Sequence, residues 1–120
     1  MPKPSAHWKQ LRAFALALPE AYEDSPWGDR VVKVRKKIFV FLGEGLGNDA
    51  KLGLKLAGAS HPAALALPSA EPMGYGLGKS GWVVIPLHAS GLAAAIYTDW
   101  IAESYGLVAP KKLAALAISR

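Results

Sequence analysis

From Lys51 to Ala57, leucine occupies every second position. Three leucines at every second position would point to one side, and Lys51, Gly53 and Lys55 to the other. A strand with this pattern is buried on one face only, which is the usual condition in an antiparallel sheet with one covered face. We therefore expect an antiparallel sheet and not a parallel, doubly wound one.

Further strands are predicted on either side of this segment. Between Arg30 and Leu42, valines alternate with Lys33 and Arg35, and Ile38, Val40 and Leu42 then alternate with phenylalanines. The two runs predict a hairpin that turns near Arg35–Lys37, although it lacks the glycine that two-residue turns favour. Another strand is predicted at Trp82–Ile85. The stretches Glu20–Gly28 and Gly43–Ala50 are expected to be irregular.

Helical spacing of apolar residues predicts a first helix over Ser5–Leu18, ended by Pro19. Its buried face would carry Trp8, Leu11, Ala15 and Leu18. A short helix is predicted to follow Ser60 and to end before Pro68.

A long helix is predicted from Ser90 to Tyr105, with Leu92, Ile96 and Trp100 along one face and Ala93, Tyr97 and Ile101 beside them. Gly106 would cap its C-terminus. A last helix after Pro110 would carry Leu113 and Leu116. Lysines in the first turn of that helix oppose its dipole, so residues 109–120 are expected to fray.

Helix, several strands, short helix, strand and helices follow one another without βαβ alternation. This order predicts an α+β fold in which an antiparallel sheet of four or five strands is flanked by helices. The strands should include Val32, Val40, Leu54 and Val84. A length of 120 residues predicts a single domain over 1–120.

The composition limits the classes of chemistry. The absence of cysteine excludes disulfides, thiolate catalysis and zinc–cysteine sites. The N-terminal residues 1–5 lack the apolar run of a signal peptide, and no run of about 18 apolar residues occurs. We therefore expect a soluble cytoplasmic protein. A formal net charge of +5 favours anionic partners.

Few motifs indicate catalysis or a cofactor. Gly78-Lys79-Ser80 resembles the end of a phosphate-binding loop, but Met73 stands where that motif needs glycine, and a strand is predicted to follow. The three histidines share no metal-ligand spacing. We expect no metal, no cofactor and no catalytic residue, and a binding protein in preference to an enzyme. The acids Glu20, Glu23, Asp24 and Asp29 are interpreted as a solvated loop that balances nearby lysines.

The densest basic cluster lies on the predicted hairpin and comprises Lys33, Arg35, Lys36 and Lys37. Cations on a projecting hairpin can neutralise phosphates and release counterions. Lysines on an edge strand can equally serve to prevent aggregation. The sequence leaves both interpretations open.

A series of short matches in order makes the chain resemble the MmcQ/YjbR-like, or double-wing, family over residues 14–112. The matches include Leu18-Pro19, Pro26-Trp27-Gly28, Val32-Lys33-Val34, Lys37-Ile38-Phe39, Gly74-Tyr75, and Ser104-Tyr105-Gly106-Leu107-Val108. The resemblance implies an α+β fold and a DNA-binding role for wing-like hairpins. Gly76 and Gly78 replace a histidine and an asparagine that the family pattern usually has, so a shared ligand site would lack two polar groups.

Two binding functions remain. The first is a weak nucleic-acid-binding module that contacts phosphates, with the hairpin cluster supplying most of the affinity. Its residues would be Lys33, Arg35, Lys36, Lys37, Lys51 and Lys55. The alternative is a pocket for a small anionic ligand, formed by Glu23, Trp27, Lys55, Tyr75, Lys79 and Trp82. Convergence of Lys55 and Lys79 beside Glu23 would support the pocket.

Overall fold

The computed structural model describes residues 6–25, 30–43, 51–67, 70–74, 77–87 and 94–118. In chain order its elements are α1 (Ala6–Leu16), β1 (Tyr22–Asp24), β2 (Val31–Val34), β3 (Lys37–Phe41), β4 (Lys51–Lys55), α2 (Ser60–Leu65), β5 (Glu71–Pro72), a 3₁₀ helix (Leu77–Ser80), β6 (Trp82–Pro86), α3 (Ala94–Val108) and α4 (Lys111–Ile118).

Within the described residues, six strands form one sheet in the order β1-β2-β3-β4-β6-β5, and every neighbouring pair is antiparallel. This confirms the predicted α+β fold with flanking helices. The sheet has one strand more than the upper expectation. The edge strands β1 and β5 contain only three and two residues, which is too short for an alternating pattern to show in the sequence.

The hairpin of β2 and β3 occupies the interior of the sheet, because β1 and β4 lie on either side of it. The interpretation of its lysines as protection of an exposed edge is therefore wrong. The prediction that Glu20–Gly28 is irregular is also wrong where β1 forms. Residues 26–29 lie outside the described part of the chain.

Strand β3 does not alternate as predicted, because it contains a β-bulge. Val32 pairs with Val40, but Lys33 pairs with Ile38, so Phe39 has no partner in β2. The extra residue lets Phe39 and Val40 both be fully buried although they are adjacent. Leu42, which follows the strand, is buried as well.

Helices α1 and α3 cover one face of the sheet. The predicted face of α1 is confirmed, since Trp8, Leu11, Ala15 and Leu18 are all buried. The indole Nε1 of Trp8 donates to the carbonyl oxygen of Leu42 at 2.6 Å, which fixes α1 at the end of β3. The leucines of β4 face the same core, as predicted.

The buried face of helix α3 is shifted by about one residue from the predicted stripe, and the helix ends later than predicted. Its buried side chains are Tyr97, Ile101, Ser104 and Tyr105. Tyr97 and Ile101 were predicted beside the apolar stripe and are buried. Within the stripe itself, Ile96 is 39% exposed, Trp100 is half-buried, and Leu92 lies outside the described residues.

Gly106 was expected to cap α3, but the helix continues through it to Val108. The next helix, α4, buries Leu113 as expected, whereas Leu116 is 55% exposed. Among the described residues, no helix combines the length and apolar character needed to cross a membrane.

Candidate nucleic-acid interface

The strand registers place most of the lysines at one end of the sheet. Lys55 ends β4 directly opposite Trp82, the first residue of β6. Because β3 and β4 are antiparallel, with Val40 opposite Leu54, the turn at Arg35 and Lys36 lies at that same end. We call it the basic end.

The segments beyond the strands add further lysines to the basic end. Lys79 lies in the 3₁₀ helix that leads into β6, and the peptide N–H of Leu56 donates to the carbonyl oxygen of Gly81 at 2.9 Å. Helix α3 also ends here, since the hydroxyl of Tyr105 donates to the carbonyl oxygen of Pro19 at 2.7 Å. Lys111 and Lys112 then open α4, and both are exposed.

Lys51 does not join this group. It begins β4 and pairs with Pro86, so it lies four residues from Lys55, about 13 Å away along an extended strand. Arg30 also lies at this opposite end, where its guanidinium is 5.4 Å from the centre of the Trp8 ring. Lys9, next to Trp8 in sequence, is exposed there.

Two cations of the predicted hairpin cluster already bind carboxylates. Lys33 donates to Asp24 at 2.8 Å. Arg35 makes two hydrogen bonds to Glu20, at 2.7 and 3.0 Å. A third pair joins Arg12 of α1 to Glu23, at 2.6 and 3.2 Å. The acids at 20–24 thus balance neighbouring cations as expected. They lie in a turn and in strand β1, however, and not in the irregular loop that was expected.

The hydrogen bonds of these pairs favour the charged form of every partner. The bond from Arg35 lowers the pKa of Glu20, the bond from Arg12 lowers that of Glu23, and the bond from Lys33 lowers that of Asp24. The cations respond in the opposite sense, and the pKa of Arg35 is raised mainly by its bond to Glu20. All three carboxylates therefore remain ionised at neutral pH.

Among the described residues, the remaining lysines at the basic end have no such partners. Within the described ranges, no carboxylate lies within ion-pair distance of these side chains. They are Lys36, Lys37, Lys55, Lys79, Lys111 and Lys112. Lys36, Lys37 and Lys79 are exposed, and Lys55 is half-buried. These unpaired charges give the basic end an excess of positive charge.

The hairpin turn holds an uncommon backbone conformation. Arg35 and Lys36 have φ angles of 50° and 69°, and Glu20, the partner of Arg35, has a φ of 59°. These are the non-glycine residues with positive φ among those described. Left-handed backbone disfavours most side chains. It nevertheless suits a two-residue hairpin turn, which explains how the turn forms without glycine.

The alternative pocket is only partly assembled. Lys55 and Trp82 are cross-strand neighbours, and Lys79 lies just before Trp82, so these three share one end of the sheet. Glu23 is three strands away from Lys55 and is bonded to Arg12. Trp27 and Tyr75 lie outside the described residues.

Trp82 is only 8% exposed, and its ring packs edge-on against Phe41 at 5.4 Å. This side chain therefore serves the packing of the sheet face opposite α1 and α3. On that face, a Cβ atom on Gly53 would lie 2.6 Å from the Met73 side chain. The absence of a side chain at Gly53 therefore lets Met73 pack directly against β4.

The glycine segment behaves as predicted where it is described. Lys79 is followed by strand β6 and not by a helix N-terminus, so the arrangement of a phosphate-binding loop is missing. The described residues contain no group of three or more histidines or acids that could hold a metal ion.

Sequence reasoning missed two features of this region. The sequence predicted that the acids balance nearby lysines, but it did not identify the individual pairs of Lys33 and Arg35 with carboxylates 9 and 15 residues away. It also gave Ser104 no role, although this buried side chain bridges two strands. The concentration of acids at 20–24, close in sequence to a basic cluster, indicates ion pairing but does not indicate which residues form the pairs.

Comparison with known proteins agrees with this architecture. The YjbR family model matches residues 16–107. The crystal structure of Deinococcus radiodurans protein DR2400, with a domain described as DUF419, superposes with a TM-score of 0.67 at 22% sequence identity. The alignment covers 89% of this chain and 81% of that one, and it shows a shared fold. No curated protein matches the sequence significantly.

Proposed function

The chain belongs to the YjbR family, and from the charge distribution on this fold we propose that it binds nucleic acid through the basic end. The observation that carries the proposal is the gathering of lysines without ion-pair partners among the described residues. They come from the hairpin turn, the end of β4, the 3₁₀ helix and the start of α4. Elements distant in sequence thus contribute to one surface.

The spacing of these lysines suits a phosphate backbone. Strands β3, β4 and β6 are neighbours, so the backbones at Lys37, Lys55 and the segment of Lys79 are separated laterally by about 5 Å per strand. Lys37 pairs with Val34 of the core and Lys55 pairs with Trp82 of the opposite face, so their side chains leave the end of the sheet from its two faces. A row about 10 Å wide is comparable with the major groove of duplex DNA, which is about 12 Å wide. Lysines at this spacing can contact phosphates on both sides of a groove.

The same features argue for low sequence specificity. Lysine is a flexible point charge, and phosphate contacts position a protein without reading bases. Among the described elements, no helix with a basic face projects from the basic end in the manner of a recognition helix. We therefore assign a weak, salt-sensitive interaction, with a Kd of roughly 10⁻⁴–10⁻⁶ M, typical of non-specific binding.

The ion pairs reduce the number of hairpin cations that are available to bind phosphate. Lys33 and Arg35 each hold a carboxylate, so Lys36 and Lys37 are the hairpin cations that we assign to phosphate. Lys51 is left out of the interface because it lies at the other end of β4. Lys55 and Lys79, named for the alternative pocket, become part of the same basic surface.

The proposal is tested by titrating a short duplex DNA across salt concentrations with wild type and with the double variant Lys36→Gln/Lys37→Gln. Losing two phosphate contacts should make the negative slope of log K against log salt shallower by about 1.8. Affinity near 0.1 M salt should fall on the order of fiftyfold. Wild type and the double variant should unfold at similar temperatures, because the side chains of Lys36 and Lys37 are exposed.

The matched control is Lys9→Gln/Lys51→Gln, which removes the same charge from the opposite end of the molecule. It should leave the slope within about 0.5 of wild type if only direct phosphate contacts set it. Equal losses in the two double variants would show that net charge alone matters. No binding by wild type at 50 mM salt would refute the proposal.

A further inference from the structure

The acidic segment Glu20–Asp24 lies beside the basic end and is bound to it. Each of its three carboxylates holds a cation from another part of the chain: Arg35 in the hairpin turn, Arg12 in α1 and Lys33 in β2. Two of these cations belong to the hairpin that points toward the proposed DNA surface.

The pair of Arg35 and Glu20 differs from the other two in its exposure, while its two-hydrogen-bond geometry is shared with the pair of Arg12 and Glu23. Their side chains are 57% and 49% exposed, the highest values for both partners among the ion pairs of the described residues. The carboxylate binds the guanidinium through two hydrogen bonds. A phosphate group can occupy the same fork, because guanidinium binds both anions in a bidentate manner.

An exposed pair of this kind is weak enough to exchange partners. Solvent-exposed ion pairs contribute little net stability, since water screens the charges and the side chains lose freedom. The Arg35–Glu20 pair is therefore a contact that a neighbouring phosphate could replace without disturbing the core.

Resting on the function proposed above, we propose that Glu20 is an intramolecular competitor of phosphate, which occupies Arg35 and thereby sets the affinity and salt dependence of the basic end. In the unbound protein Glu20 supplies the two acceptor oxygens that a phosphate would supply. A phosphate can reach Arg35 only by displacing the carboxylate, so Arg35 contributes little to DNA binding in wild type, and the nearby negative charge of Glu20 further opposes the contact. Both effects weaken the interaction with DNA.

The test compares Glu20→Gln with wild type in duplex DNA titrations across salt. Glutamine keeps the size of the side chain but removes its charge, so Arg35 gains one phosphate contact. The slope of log K against log salt should steepen by about 0.9, and affinity near 0.1 M salt should rise about eightfold. Arg35→Gln should cancel this gain in the Glu20→Gln background, and should have a much smaller effect in wild type.

Glu23→Gln is the control for net charge, because it removes one negative charge from the same segment but frees Arg12 of α1 instead. It should change affinity much less than Glu20→Gln. If wild type binds DNA and the two glutamine variants bind alike, the competitor role is wrong while the proposed function stands. If neither wild type nor Glu20→Gln binds, both proposals fail. Binding by Glu20→Gln but not by wild type would support competition at Arg35 and refute DNA binding by the wild-type protein.

Discussion

The hydroxyl of Ser104 completes the backbone pairing of the sheet at the β-bulge. Phe39 would lie opposite Lys55 if the register of β3 and β4 continued, but no such pair forms. Instead the peptide N–H of Lys55 donates to Ser104 Oγ at 3.0 Å, and that hydroxyl donates to the carbonyl oxygen of Phe39 at 2.5 Å. One fully buried side chain thus satisfies two backbone groups and fixes α3 on the sheet.

Replacing Ser104 with alanine should destabilise the protein by about 1–3 kcal/mol, since backbone groups lose their partner in a buried place. Urea denaturation measures this difference. Ser80→Ala is the control, because that side chain is exposed in the 3₁₀ helix, and a surface change of this kind should stay within about 0.5 kcal/mol. Equal stability of the two variants would mean that water or a shift of α3 replaces the hydroxyl.

At this scale the sequence predicts burial better than it predicts partners. The alternating leucines of β4 and the apolar spacing of α1 were sufficient to identify buried residues correctly. Ser104 and Arg35 have partners fixed by tertiary packing, which a local pattern does not encode. For the same reason the sequence could name Lys36 and Lys37 as candidate phosphate ligands but could not distinguish them from Lys33 and Arg35.

Among the elements, two glycines have opposite structural roles. Gly81 precedes β6 with a φ of 94°, and a Cβ atom there would come within 2.4 Å of the carbonyl oxygen of Leu56. Gly106 lies on the exposed side of α3, and a Cβ atom there would meet nothing within 4 Å. Gly81 is required because the backbone just after β4 approaches it closely, whereas Gly106 weakens the helix in which it lies.

Gly81→Ala should therefore destabilise the protein by about 1–3 kcal/mol or more, through the clash and the unfavourable φ. Gly106→Ala should stabilise it by about 0.5–1 kcal/mol, because alanine lowers the entropy that the unfolded chain loses in forming a helix. Thermal or urea unfolding gives both values. A loss of stability in Gly106→Ala would indicate that this glycine does end the helix, as its sequence position first indicated.

The elements that the sequence failed to predict share a physical cause. Strands β1 and β5 are too short for a periodic signal, and their conformation depends on pairing with β2 and β6. The bulge in β3 breaks the alternation that prediction relies on. The end of α3 was misplaced because glycine favours a helix end but does not require one. Longer elements with regular spacing were predicted correctly in type and order.

At the scale of the whole molecule, the proposed DNA binding depends more on where the positive charges lie than on their total number. A formal net charge of +5 is modest for 120 residues. The strand order concentrates positive charge at one end of the sheet, because antiparallel pairing brings the hairpin turn, the end of β4 and the start of β6 together. Sequence analysis identified the individual cations, whereas the sheet topology separates Lys55 and Lys79 from Lys51.

Nuclear magnetic resonance mapping of a DNA titration tests this claim most directly. Backbone amide shifts of isotope-labelled wild-type protein would be followed as short duplex DNA is added at low salt. We expect the largest changes at residues 35–37, 55, 79 and 111–112, with little change near Lys9 and Lys51. Shifts concentrated around Lys9 and Lys51, or no shifts at any residue, would contradict the account.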